Sequence, residues 1–357
     1  MTKVLHVQKV SGISGSEAHL LSLVPQLRER GWDASMVVLH QDEPGAHEFV
    51  RRMRDRDVPT EAWRMRADVD PVVFARLATR RADIVHTHLV HADLHGLPAA
   101  AVARVPLRVS TKHGFNEFRS SRAIAVADRT AARFAHRQIA ISAGLADYLA
   151  ATEGFARDDF TVVHYGIEPG AEPPPPPDAP RLVAVGRLIP IKGFDLLLDA
   201  FARARAEVPE LTLEIAGSGP LRFEPQDGVR FLGHVSPVQP LFERNAVAVV
   251  PSRGEGFGMV ALEAAERGRA AVVTNVGGLP EIVADGETGL VVEPDGLSAA
   301  IVALARDPER VRRMGAAARE RALAQFSPAA AVEGVERVYR ATAAPASSTS
   351  RKSNGTR

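Results

Sequence analysis

Two carboxylates, Glu255 and Glu263, frame the segment Glu255-Gly-Phe-Gly-Met-Val-Ala-Leu-Glu263. Upstream, Val247-Ala-Val-Val-Pro251 reads as a buried strand, and downstream Met259 to Arg267 reads as a helix. Glu255 therefore falls in a glycine-rich loop at a helix N-terminus, and Glu263 falls inside that helix. At about 1.5 Å per residue the span is roughly 12 Å if all of it is helical, and less if the loop folds back. That separation resembles the distance from the sugar to the ribose in an activated sugar. The helix start between them offers unbonded N–H groups and the positive end of the dipole, which suit a diphosphate. The plain alternative is a Glu that complements the dipole and a second that is only solvated.

A second constellation is cationic. Gly186-Arg187-Leu-Ile-Pro-Ile-Lys192-Gly193 follows a strand pattern and precedes a helix with Phe194, Leu197, Leu198 and Phe201 on one face. Two cations in such a loop can converge on one anion, at about 1.5–3 kcal/mol for each charge-assisted hydrogen bond. A loop Arg and Lys that are merely hydrated are the competing reading. Ala216-Gly217-Ser-Gly-Pro220 ends another strand, and Leu232-Gly-His234-Val235 ends the next.

Short apolar runs alternate with helical patterns around these segments. In the first half, Lys3–Val10, Ser35–Leu39, Asp83–His86, Leu107–Thr111 and Gln138–Ile141 read as strands. After a turn at Gly12 to Gly15, the residues Leu20, Leu21, Leu23, Val24 and Leu27 recur at helical spacing up to Gly31. In the second half, Arg181–Val185, Leu211–Ile215, Val229–Leu232, Val247–Val250 and Ala271–Thr274 repeat the pattern. The alternation predicts an α/β chain with parallel sheets covered on both faces. Pro173 to Pro177 is stiff and extended, so it reads as a linker between two domains, with a cleft where ligands of open α/β sheets bind. The expected organisation is a first domain at 1–168, a linker at 169–180, a second domain at 181–325, a closing helix at 326–342 and a disordered tail at 343–357.

A length of 357 residues suits two such domains, and 45% hydrophobic with 24% charged residues is ordinary for a globular chain. The absence of Cys removes disulfides, thiolate nucleophiles, Cys-ligated zinc and iron–sulfur clusters. The sequence starts on a strand without an apolar leader and has no run of about 18 apolar residues, so a cytoplasmic location is expected. A net charge of +1 with no basic-aromatic platform gives no pointer to nucleic acid.

The order of these motifs resembles the retaining glycosyltransferases of family 4. Gly-Arg…Lys-Gly, Ala-Gly-Ser-Gly-Pro, Leu-Gly-His-Val, Pro-Ser…Glu-Gly-Phe-Gly…Glu-Ala and Val-Gly-Gly-Leu-Pro-Glu281 all lie in the second half. Gly15-Ser16-Glu17, Asp83-Ile-Val-His-Thr-His88 and Lys112-His113-Gly114 match more loosely in the first. The resemblance implies a GT-B fold of two Rossmann-like domains, the first for the acceptor and the second for a nucleoside-diphosphate sugar, favoured as UDP-linked. It also implies roles by position. Arg187 and Lys192 hold the diphosphate beside Gly186 and Gly217, and Glu263 takes the ribose hydroxyls. Glu255 and the backbone of Gly256, Phe257 and Gly258 face the transferred sugar, with Met259 and Val260 at the helix start. The backbone near His234 and Val235 holds the base. Gly15 and Ser16 meet the phosphates from the other domain, and His113 hydrogen-bonds the sugar. Arg187, Lys192, Glu255 and His113 are the expected catalytic group, with no metal and no other cofactor. Two departures stand out: Gly15-Ser16 where the family often has paired glycines, and Tyr165-Gly-Ile-Glu168 where it has Asn-Gly-Ile/Val-Asp.

Other signals have structural readings. Asp68-Val-Asp70-Pro71 fits an N-cap with proline at the first helical position better than a metal motif. His86, His88, His91 and His95 lack a carboxylate cluster and read as strand-end or cleft residues rather than zinc ligands. Arg51, Arg52, Arg54 and Arg56, then Arg129, Arg133 and Arg137, form basic faces. They read as solvated, while leaving peripheral membrane contact or an acidic acceptor open. The acceptor is a saccharide, glycolipid or natural product. Rival readings are an epimerase or hydrolase of the same fold, a non-catalytic nucleotide-sugar binder, and an inverting transferase using His19.

Overall fold

The computed structural model describes residues 1–115 and 122–341. The expected tail at 343–357, and Thr342 before it, lie outside the described residues. The first sheet is seven-stranded and parallel throughout. Its strands are β1 Lys3–Lys9, β2 Asp33–His40, β3 Thr60–Arg64, β4 Ile84–His88, β5 Leu107–Lys112, β6 Arg137–Ala140 and β7 Phe160–Val162. They lie in the order β3-β2-β1-β4-β5-β6-β7. The second sheet contains β8 Arg181–Val185, β9 Thr212–Ala216, β10 Val229–Gly233, β11 Val247–Val250, β12 Ala270–Thr274 and β13 Gly289–Val292. Its order is β10-β9-β8-β11-β12-β13, again all parallel. In each sheet the order reverses once, between β1 and β4 and between β8 and β11. A crevice opens at the carboxyl ends of the strands at such a reversal.

Burial explains the central strands. Every residue of β11 and of β12 is buried, as expected for parallel strands covered by helices on both faces. Three strands, β3, β7 and β13, are absent from the sequence-based series. Thr60-Glu-Ala-Trp-Arg64 of β3 alternates irregularly and keeps Glu61, Ala62 and Arg64 exposed at the sheet edge. β7 and β13 are short edge strands with one buried residue each, Phe160 and Gly289, so neither shows a clear period.

The chain crosses between the two halves more than once. After β7 it runs through Pro173 to Pro177, where the Arg269 guanidinium donates to the Pro174 carbonyl at 3.0 Å. The expected closing helix is Pro328–Ala341, and it returns to the first domain. There Val332, Val335, Val338 and Tyr339 join Leu20, Leu23, Leu27 and Val163 in one apolar core. The indole of Trp32 donates to Glu336 at 2.8 Å, and the Ile167 N–H donates to the Phe326 carbonyl at 2.8 Å.

A fully buried ion cluster stiffens the first domain behind its crevice. Lys112, at the end of β5, donates to Asp93 at 2.6 Å and to both oxygens of Asp128 at 2.9 and 3.0 Å. Ser110 adds a hydrogen bond to Asp93 at 2.9 Å. Burial pushes the Asp93 carboxyl up, and the Lys112 ammonium only partly offsets this. Removing the cation leaves two buried carboxylates facing each other. Lys112→Met is therefore expected to lose ~3–5 kcal/mol of stability in urea titrations, and a loss under about 1 kcal/mol contradicts the assignment.

Candidate active site

The second-domain wall is built at the ends of β8 and β11. After β8, Gly186 and Gly217 press backbone on backbone; Gly217 has φ 151°, and a Cβ there would overlap the Gly186 carbonyl. Arg187 is exposed, and no ion pair or hydrogen bond of its side chain is found among the described residues. The loop then makes a 3-10 turn, Pro190–Lys192, closed by Gly193 at φ 65° before the helix Phe194–Glu207 begins. That turn aims Lys192 back at the loop after β11, where its ammonium donates to Glu255 at 2.6 Å. Ser252 reaches the same carboxylate oxygen at 3.3 Å. The helix Met259–Glu266 starts next to Glu255, with Gly258 at its N-cap in a left-handed conformation, φ 110°. No side chain caps it, so its first N–H groups are open to an anion. Glu263 lies one turn into this helix, where burial pushes its carboxyl up to about 7.

The first domain closes on this wall through glycines. A Cβ on Gly256 would stand 2.7 Å from the Gly114 Cα and 3.2 Å from the His113 carbonyl. One on Gly15 would stand 3.6 Å from the Met259 Cγ. The Ser142 hydroxyl donates to the Gly256 carbonyl at 2.5 Å. Beside it Gly144 abuts the Gly277 carbonyl, and Glu281 of the second domain accepts from the N–H groups of Ala143 and Gly144 at 3.0 and 2.9 Å. Those amides open the helix Ala143–Glu153, so Glu281 sits at its positive end. His164 meets the same carboxylate at 2.7 Å. Burial works to raise the Glu281 carboxyl, but His164 and the two amides outweigh it and hold it low.

Behind the contact lies a column of imidazoles. His6 Nδ1 lies 3.0 Å from His88 Nε2, and His88 Nδ1 lies 2.9 Å from His113 Nε2. His113 Nδ1 is hydrogen-bonded to the Tyr165 hydroxyl. Tyr165 stacks on His19, ring centroids 4.3 Å apart, and meets Phe257 edge-on at 5.4 Å. Burial holds His113 and His88 well below the ordinary imidazole value and lowers His6 and His19 to about 3, so all four are neutral. Both ring nitrogens of His113 thus have protein partners, and a direct bond from His113 to a sugar requires one of them to let go.

The remaining expected residues divide. Gly15 and Ser16 open the helix Gly15–Glu29, where Ser16 accepts from Gln8 at 3.3 Å. Phe257 is 2% exposed, and its ring packs against His164, Tyr165 and Phe326, so only its backbone faces the loop. Met259 and Val260 are half-buried at the helix start, whereas His234 is exposed at the end of β10, with Val235 against the core. Asp70 caps the helix Pro71–Ala78 through the Val72 N–H at 2.9 Å. His95 accepts from the Asp70 N–H at 2.8 Å, and Asp68 pairs with Lys9 at 3.0 Å. Arg51 and Arg52 clamp Glu48 at 2.7 Å, and Arg54 bonds the Thr60 carbonyl. Arg129, Arg133 and Arg137 border a cavity of about 710 Å³ reached from the start of β6. His6, His86 and His88 are close enough to ligate one metal ion, as are His40, Asp42 and His47. Both His86 nitrogens are taken, by Tyr339 at 2.7 Å and Thr111 at 2.6 Å. Among the described residues no helix is long and apolar enough to cross a membrane.

Tyr165, Glu281 and His6 had no assigned role in the sequence, which placed His88 only as a strand-end or cleft residue. Tyr165 was visible as a departure from the family motif. His6 would have emerged from pairing β1 with β4, since it stands directly opposite His86 in the register.

Comparison with known proteins follows the same division. Residues 13–170 match the family model for Glycosyltransferase Family 4, and residues 179–307 match that for Glycosyl transferases group 1. The chain is 29% identical to the alpha-maltose-1-phosphate synthase of Mycolicibacterium smegmatis over 92% of its own length and 96% of that protein. It is 33% identical to a glycogen synthase of Mycobacterium tuberculosis over 72% of its length and 69% of that protein. The crystal structure of Anabaena HepE in complex with UDP and glucose superposes with a TM-score of 0.81 at 20% identity, covering 96% of this chain and all of the other. The chain therefore belongs to glycosyltransferase family 4 and is a glycosyltransferase of the GT-B fold.

Proposed function

We propose that the protein is a retaining glycosyltransferase that moves a sugar from a nucleoside diphosphate, UDP in the favoured case, to an acceptor hydroxyl. The carrying observation is the Lys192–Glu255 pair at 2.6 Å beside the uncapped start of the helix Met259–Glu266. A donor diphosphate at that helix start replaces Glu255 as the partner of Lys192 and frees its carboxylate for the hydroxyls of the sugar. Arg187, exposed on the same loop, closes on the other side of the phosphates. These cations and amides stabilise the charge that builds on the departing diphosphate, an electrostatic contribution that commonly dominates catalysis. They supply that stabilisation without a metal ion. With Glu255 committed to the sugar hydroxyls, the reading uses same-face attack, in which the leaving phosphate oxygen takes the proton of the acceptor. Glycine-to-glycine closure between the domains keeps water from the donor. The UDP in the HepE complex supports the donor class. The acceptor is a saccharide, a glycolipid or a natural product.

Glu263 fits the ribose hydroxyls at a cost to stability. Its carboxyl titrates at about 7 in the fold and near the ordinary Glu value in the unfolded chain. Between those values the folded state holds a proton that the unfolded state has lost, so stability falls as pH rises through the window. Above it the full penalty remains, on the order of 1–3 kcal/mol once partial exposure is allowed for.

Lys192→Ala and Arg187→Ala are each expected to lower kcat by about 10²–10³ with the fold intact by circular dichroism. Near-wild-type turnover in both contradicts the diphosphate assignment. Glu263→Gln is expected to raise the melting temperature at pH 8, leave it unchanged near pH 4, and weaken UDP or GDP binding in calorimetry. No stabilisation at pH 8 together with an unchanged Kd removes Glu263 from the ribose site.

A further inference from the structure

The imidazole column poses a proton-placement problem that has two solutions. Each neutral ring carries one N–H and one lone pair, and every link between rings needs one of each. If His113 carries its proton on Nε2, it donates to His88 Nδ1, and His88 Nε2 donates to His6 Nδ1. His6 must then hold its own proton on Nε2. That atom is buried and has no hydrogen-bond partner among the described residues. In the opposite solution all three rings carry the proton on Nδ1. His6 donates to His88, His88 to His113, and His113 to the oxygen of Tyr165. The orphan atom is then a lone pair rather than an N–H, and buried N–H groups without partners are the rarer case in folded proteins.

We infer that His6, His88 and His113 are held as one column of Nδ1–H tautomers, which makes the Tyr165 hydroxyl an acceptor toward His113 and a donor toward the cleft. Tyr165 lies at the contact between the domains, 2% exposed. Its ring stands between Gly15 at the helix start of the first domain and Phe257 in the Glu255 loop of the second. Burial, and then the Glu17 carboxylate, push its phenol well above the ordinary value, so the proton stays on oxygen. His86 does not enter the chain, because its nitrogens serve Tyr339 and Thr111. His6 and His88 are thus positioning residues acting through His113, and Tyr165 gives the reaction a fixed hydrogen-bond donor for a sugar or acceptor oxygen. The role in transfer rests on the function proposed above, whereas the tautomers can be read without any substrate.

Long-range proton–nitrogen NMR of the full chain labelled with 15N-histidine is the test. Three neutral rings with protonated Nδ1, assigned to His6, His88 and His113 by single substitutions, are expected. Protonated Nε2 or averaged shifts at any of the three overturn the column, as does stoichiometric zinc binding that abolishes the His6 and His88 signals. In folded His6→Phe the His113 ring is expected to become a mixture of tautomers. Retention of pure Nδ1–H there shows that the column does not set it, and if this variant does not fold the wild-type spectrum still decides. Tyr165→Phe is expected to lower turnover about tenfold with the donor KM unchanged, the scale of one hydrogen bond. Turnover within about twofold of wild type overturns the donor role while leaving the glycosyltransferase reading intact.

Discussion

Loops of the two domains meet in part through backbone, at points where there is no room for a side chain. Gly114 lies against Gly256 and Gly144 against Gly277; within the second domain Gly278 packs on Phe257, where a Cβ would stand 2.7 Å from the Phe257 Cα. At that range side chains of one domain reach backbone groups of the other, as Ser142 does at Gly256 and Glu281 at Ala143 and Gly144. The loop carrying Glu255 is thereby held on both sides. Its carbonyl accepts from the Gly278 N–H at 3.1 Å, and its far side touches Gly114. Everything proposed for the donor depends on the loop keeping that place.

Within that frame the chemistry is mainly a matter of where charge is left uncompensated. Away from the cleft, Lys112 is paired with two aspartates and Arg267 with Glu266, while the buried Arg269 guanidinium is held by backbone carbonyls. Inside the cleft the pattern changes. Arg187 is open, the helix start at Gly258 is uncapped, and Glu263 is desolvated without a cation, which is why its carboxyl is pushed up. A buried carboxyl without a charged partner lowers stability, and such groups cluster where a ligand supplies the missing partner. The histidines follow the same logic in neutral form, since their placement under Gly114 keeps a polar column from bringing charge into the domain contact.

Much of this was legible in the residues, and what was not has a definite cause. β8 and β11 run as the sequence predicted, because continuous buried runs such as Leu182 to Ala184 and Val247–Val250 leave little choice. β3 was not legible, since Trp63 is its anchor and the Arg76 guanidinium, 3.8 Å above the ring, supplies a cover no local pattern encodes. A closing helix at 326–342 was expected, but the sequence does not name the surface it covers; Pro328–Ala341 covers the first domain. In the site, Lys192, Glu255 and the Gly258 helix start were readable from spacing alone. Phe257 shared their motif and nevertheless packs into the core, because a motif reports backbone position more reliably than side-chain direction. The partners of His113 required the register of β1 against β4, a non-local fact.

The central claim is that a nucleoside diphosphate sits with its phosphates between the Lys192 loop and the start of the helix Met259–Glu266. A crystal structure of the protein with UDP, or with GDP if UDP does not bind, tests it most directly. The account predicts diphosphate density within hydrogen-bond reach of the Lys192 ammonium and the first N–H groups after Gly258, with the ribose at Glu263. Nucleotide density anywhere else, with the Lys192–Glu255 pair undisturbed, contradicts it.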